Sequence, residues 1–185
     1  NFGNLTAGLL AKGMGLPVER FIAANNKNNS VLDYLQTGVY SPKLTIATIS
    51  NAMDVGDPSN FARMIDMYDN AVGKMRLDIA GYSFSDEQTM EAMLELYQKA
   101  GYVIDPHGAV AYLGFKSWQK ETGSNSRGIV LGTAHPAKFK DVVEKTLKIE
   151  IELPGQLLEI ADKTKKSTIL NSDFNIFHQY LMQRS

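Results

Sequence analysis

Cysteine is missing from all 185 residues. That removes disulfides, thiolate metal sites and a nucleophilic thiol together, and it predicts a reducing, cytoplasmic home. An excess of charge of either sign is missing too, with 19 Lys and Arg against 20 Asp and Glu for a formal net charge of −1. There is no basic excess to neutralise nucleic-acid phosphates and no acidic block to serve as an interaction tail. No apolar run approaches the roughly 18 residues of a membrane span, and no signal-peptide pattern is present. Neither nucleic acid nor membrane is an expected partner, and the Asn-x-Ser/Thr matches at Asn4 and Asn28 are read as chance. Repeats and low-complexity segments are lacking as well. What remains is an ordinary globular composition, 44% hydrophobic and 9% aromatic, over a length able to bury a sizeable core.

The chain opens without methionine into Asn1-Phe2-Gly3-Asn4, and sequence upstream of it is expected. A helix is predicted over 5–14, stopped by Gly13, Gly15 and Pro17, and a strand over 18–24. The polar run 25–29 reads as a turn, with Ser30 capping a helix over 31–36. Residues 44–49 (LTIATI) alternate apolar and hydroxyl side chains and predict a strand, followed by an ordered loop over 50–60. Pro58 sits at the start of a helix that ends before Gly73, with Ser59 or Asp57 as its cap. The Ser85-Asp86-Glu87-Gln88 string matches the capping box and starts a helix that Gly101 closes. Beyond it the pattern predicts a strand over 102–104, a turn over 105–108 and a helix over 109–121 carrying Trp118. A buried strand is expected over 129–131, a turn over 132–135 and a helix over 136–147, then weaker helices over 156–163 and 175–183. Alternating strand, turn and helix units predict an α/β class: three layers, a largely parallel sheet with helices on both faces. Most of the eight methionines fall at helical spacing among apolar neighbours and read as core filler.

In open α/β sheets ligands bind beyond the carboxyl ends of strands, so the turns after strands are where chemistry is sought. Asn1-Phe2-Gly3-Asn4 before a helix offers a glycine that lets backbone approach an anion and N–H groups that donate to it. It matches neither the Walker nor the dinucleotide pattern, and a simple turn capped by Asn4 is the better reading of those residues alone. In Gly132-Thr133-Ala134-His135-Pro136 a hydroxyl and an imidazole emerge from a strand; Thr133 can meet a ring nitrogen, or Thr133 or His135 can cap the next helix. Asp105-Pro106-His107-Gly108 has the same anatomy. Two histidines without a third ligand do not make a zinc site, so no metal is expected, and hydrogen bonding and capping are the roles read for them. Asp54 and Asp57 are read as loop-forming Asx turns rather than as a working carboxylate pair. Lys138, Lys140 and Lys145, interleaved with Asp141 and Glu144, read as a solvated face, and His178 reads as structural or exposed.

As a set, NFGNLTAGLLAKGMGLP, SNAMDVGDPSNFAR, IDPHGAVAYLGF and GTAHPAKFKDVVE resemble, in that order, the C-terminal half of the bacterial threonine synthases, a pyridoxal-phosphate family of the tryptophan-synthase-like fold. The resemblance covers essentially the whole chain. It implies that residues 1–185 are the C-terminal part of a large cofactor-binding domain whose N-terminal half is absent, a truncated fold type II enzyme. Asn1, Phe2, Gly3 and Asn4 match the loop that holds the cofactor phosphate through backbone N–H groups. Thr133 matches the threonine facing the pyridine nitrogen, and Asp105 and His107 match a turn beside the cofactor ring, where this chain departs from the family with Gly108. The implied reaction converts O-phosphohomoserine and water to threonine and phosphate through a Schiff-base lysine. That lysine is implied to lie upstream, since none of Lys12, Lys27, Lys43 or Lys74 has the matching context, so no catalytic residue is assigned here and these residues alone are expected to be inactive. Arg63, His135 and Lys138 are the substrate-phosphate candidates by charge. Apolar surface bared by truncation predicts self-association. Two alternatives stand beside this one: a serine/threonine dehydratase-like lyase of the same fold, and a non-catalytic homologue that only binds such ligands.

Overall fold

The computed structural model describes residues 1–183. It forms two compact units, Asn1–Glu152 and Leu153–Ser185. The first unit carries α1 (Gly3–Gly13), β1 (Phe21–Asn25), α2 (Ser30–Thr37), α3 (Phe61–Met67), α4 (Val72–Asp78), β2 (Ile79–Ser83), α5 (Asp86–Ala100), α6 (Pro106–Thr122) and α7 (Lys140–Leu147). Short 3-10 turns lie at Asn51–Met53 and Pro136–Phe139. The second unit carries α8 (Gly155–Ala161) and α9 (Phe174–Met182).

β1 and β2 pair in parallel from Phe21↔Ile79 to Asn25↔Ser83, with α2, α3 and α4 in the crossover between them. Period-two alternation sends Ile22 and Ala24 to one face, where they press on Gly114 of α6; a Cβ there would lie 2.8 Å from that of Ala24. On the other face Phe21 covers Gly8 of α1, and Gly81 lies under Leu32 and Leu35 of α2. Helices therefore cover both faces of a parallel sheet, the expected three layers, built among the described residues on two strands. One core gathers Leu9, Val31, Phe61, Met64, Met75 and Ile79; a second gathers Met93, Ile104, Ala109, Val143 and Leu147. Met64, Met75 and Met93 are fully buried, as expected of filler.

Local signals place the helix ends well. Ser85 and Gln88 form both halves of the capping box at α5, Gly101 ends α5 and Gly123 ends α6 in left-handed geometry, and Asp105 caps α6 with Pro106 at its first position. Other expectations need correcting. Ser30 lies inside α2, not at its cap, and no side chain caps α2 or α3. The helix foreseen up to Gly73 is broken, because Asp69 and Asn70 take left-handed φ values of 52° and 58° between α3 and α4, and α4 runs through Gly73.

Strands diverge more. Residues 44–49, 102–104 and 129–131 join no ladder, and Leu44 and Ile129 are more than nine-tenths exposed. Along 44–49 the ladder is replaced by a side chain. The Asn28 carboxamide donates to Ile46 O at 2.9 Å and accepts the Ile46 N–H at 2.8 Å, the two bonds a neighbouring strand would have made. β2 was not expected, because Ala80 and Gly81 are poor strand formers; here the side chains of α2 fill the space above the glycine.

Candidate functional site

Asp105 and Pro106 are the local reason for the first wall. The Asp105 Oδ1 accepts the His107 N–H at 2.9 Å, and proline's fixed φ suits the first helical position. The same Oδ1 lies 2.8 Å from His107 Nδ1. His107 Nε2 in turn accepts the Ala52 N–H at 3.1 Å, while the imidazole packs on Phe139 with ring centroids 4.7 Å apart. A carboxylate only accepts, so Nδ1 is the ring nitrogen that donates, and Nε2 is the one that accepts.

Around this imidazole opens a cavity of about 420 Å³, lined by Asn51 and Ala52 from the 50–60 loop, His107 from α6, and Thr133, Ala134, Lys138 and Phe139. Two of the turns singled out in the sequence thus meet. Thr133 is exposed, and among the described residues its hydroxyl has no hydrogen-bond partner. Lys138 is exposed too, with no carboxylate paired to it among the described residues. Asp105 stands behind His107 as its support. His135 takes the capping role, its Nδ1 accepting the Ala137 N–H at 3.1 Å, and it does not line the cavity. No group of three His, Asp or Glu among the described residues could hold a metal ion.

The 50–60 loop is built on a buried polar network. Asn26 and Asn28 direct their amides onto Asp54 Oδ1 at 2.9 and 3.2 Å. Thr48 adds its hydroxyl to that oxygen at 2.7 Å and its N–H to Oδ2 at 2.9 Å. Asp54 is thus a hub rather than an Asx turn, and Asp57 instead accepts the Tyr40 hydroxyl at 2.7 Å. Burial first, and then that carboxylate, push the Tyr40 phenol well above its ordinary range. The polar run 25–29 is thus more than the plain turn its composition predicts. The signal was there in four asparagines out of five residues at the carboxyl end of a strand.

At its far end the same loop holds the chain's opening segment. Ser59 Oγ donates to Asn1 Oδ1 and Asn60 Nδ2 to Asn1 O, both at 3.0 Å, and Arg63 Nη1 reaches Asn60 Oδ1 at 3.1 Å. Phe2 takes φ 56° and ψ 24°, and no side chain caps α1, so Asn4 does not serve as the cap. A left-handed residue followed by right-handed ones turns successive N–H groups into one concavity, and the helix dipole adds positive potential. Gly3 and Asn4 are exposed there.

A family described as "Pyridoxal-phosphate dependent enzyme" matches residues 2–132, and one described as "Threonine synthase, C-terminal" matches residues 108–181. Threonine synthase of Buchnera aphidicola from Acyrthosiphon pisum is 44% identical over 184 residues, covering 100% of this chain and 42% of its own length. That of Escherichia coli K12 is 42% identical over 182 residues, covering 98% and 41%. Among solved structures, E. coli threonine synthase superposes with a TM-score of 0.89 at 42% identity, over 100% of this chain and 42% of its own. The pyridoxal-phosphate-bound threonine synthase of Brucella melitensis gives 0.81 at 29% identity, over 100% and 44%. The chain spans about two fifths of the length of these relatives.

Proposed function

From the premise that the chain belongs to the pyridoxal-phosphate dependent enzyme family, we propose that it is the C-terminal part of the cofactor-binding domain of a threonine synthase, acting on O-phosphohomoserine. The observation that carries this reading is the cavity in which Thr133, His107, Asn51 and Lys138 meet from three separate stretches.

The residues fit the group. The uncapped N–H groups after Phe2 suit its phosphate, and the unpartnered Thr133 hydroxyl suits its ring nitrogen. When bound, pyridoxal phosphate supplies an electron sink for negative charge developing on the carbons of an amino acid. The Thr133 hydroxyl would hold the ring nitrogen by a hydrogen bond without protonating it as an acid would, which would temper that sink and suit a reaction needing control over which carbon is charged. The Lys138 ammonium offers a cation to a phosphate-bearing substrate, an observation that favours phosphohomoserine over the substrate of a serine dehydratase. Arg63 stands with Asn60 and Asn1, on the side of the opening loop, and His135 is occupied as a cap; neither is assigned to the substrate phosphate.

The test is the visible absorbance of the complete protein after pyridoxal phosphate and dialysis, with borohydride trapping and peptide mapping. Colour held by a lysine outside residues 1–185, with phosphate released from O-phosphohomoserine, is expected; a trapped lysine within them overturns the assignment. Residues 1–185 alone should keep no colour and release no phosphate. They should also self-associate, since Leu44, Ile129 and Ile169 are more than nine-tenths exposed, and a monomeric mass by light scattering at high concentration would count against this. A cytoplasmic location is the one we propose, supported by the cysteine-free composition.

A further inference from the structure

His107 and Asp105 are the most buried ion-pair partners in the first unit among the described residues, with side chains 5% and 4% exposed. Every polar atom of the imidazole is already engaged. Nδ1 faces a carboxylate that can only accept, and Nε2 faces an amide that can only donate, so two independent partners demand the same tautomer. The Ala52 N–H has no other partner among the described residues. Asn51, its neighbour in the 3-10 turn, leaves its side-chain amide unpaired at the cavity. The ring packs on Phe139, tilted by 53° with centroids 4.7 Å apart, so one side chain ties together all three stretches that line the cavity.

We infer that His107 is a positioning residue: Asp105 holds it as the Nδ1–H tautomer, Nε2 fixes the Ala52 amide, and the Asn51 carboxamide is thereby presented to the bound ligand, with no ring nitrogen left for cofactor or proton. The identity of that ligand rests on the proposed function; the tautomer and the Ala52 bond do not. The assignment moves His107 from a cofactor contact to a support one step behind it.

The test uses the complete protein and three readouts. Ring nitrogen-15 shifts should report the Nδ1–H tautomer and should stay put when pyridoxal phosphate is added. Exchange of the Ala52 amide should be slow in wild type and in His107→Gln, whose carbonyl can still accept. It should quicken about tenfold or more in His107→Leu, which leaves that N–H orphaned. Pyridoxal phosphate affinity, read by absorbance titration, should fall about tenfold in His107→Leu and Asn51→Ala and stay within about threefold in His107→Gln. An Nε2–H tautomer, an Nε2 signal that moves with cofactor, or an Ala52 amide indifferent to His107→Leu overturns the inference. Should His107→Leu fail to fold, the wild-type shifts still decide. Failure of the protein to bind pyridoxal phosphate sinks the proposed function and leaves the tautomer and exchange results to judge the inference.

Discussion

Gly56 shows how one residue can hold a site it never touches. A Cβ there would lie 1.9 Å from the Lys43 carbonyl oxygen, because the Gly56 carbonyl accepts the Lys43 N–H and its own N–H donates to Thr45 Oγ1. The obstacle is backbone and cannot rotate away. Gly56→Ala is expected to lower stability by about 2 kcal/mol or more, read as a shifted denaturant midpoint, and to loosen Asn51 and Ala52 through the same loop. An unshifted midpoint would show that the 43–56 contact is dispensable. Asp54 is legible only as a polar loop residue in sequence, yet three side-chain donors and one backbone N–H converge on it. Those donors come from residues 26, 28 and 48, and no local rule joins them to residue 54.

Helices here are written locally and strands are not. The α5 start needs only Ser85 and Gln88, three residues apart, to satisfy two orphan N–H groups, at 2.9 and 3.3 Å. Ser85→Ala is expected to cost about 1 kcal/mol, measurable by denaturation, while Ser85→Asp should restore most of it; equal losses in both variants would assign the effect to something other than the cap. β2 depends instead on its partner. Its five residues include Ala80 and Gly81, and only the parallel ladder to 21–25, with α2 pressing from above, makes them a strand. The reverse holds at 44–49, a β-branched run that stays unpaired, with the backbone bonds of Ile46 taken by the Asn28 side chain and the Thr48 N–H taken by Asp54.

Taken as one charge system, the first unit responds to acid through its paired carboxylates. The hydrogen bond from Lys12 chiefly holds Asp78 below its usual range, with Tyr68 adding and partial burial opposing. Hydrogen bonds from Lys116 and Lys99 do the same for Glu95. The raised Lys116 is that interaction seen from its partner. A folded-state value below the unfolded one means the stabilisation is present above the ordinary values of 3.8 and 4.5 and is lost as pH falls through the folded values. Denaturant midpoints should therefore drop on acidification below about 4.5, the ordinary glutamate value. Lys12→Met with Lys116→Met should flatten that drop, and an unchanged slope would locate the acid sensitivity elsewhere. Half-exposed pairs make this a modest effect.

The α/β class, the order of the motifs, and the starts and stops of α5 and α6 could be read from the chain alone, because those helix ends rest on residues within about four positions of one another, whereas the starts of α2 and α3 and the break at Asp69 and Asn70 could not. The motif strings also pointed to the family that the comparisons bear out. Strand pairing, the Asn26, Asn28 and Asp54 network, and the meeting of Asn51, His107 and Thr133 in one cavity came only with folding. Each of these joins groups tens of residues apart, whose bonds form only after the intervening chain has packed, and nothing in the local alphabet encodes which distant partner a polar side chain will find.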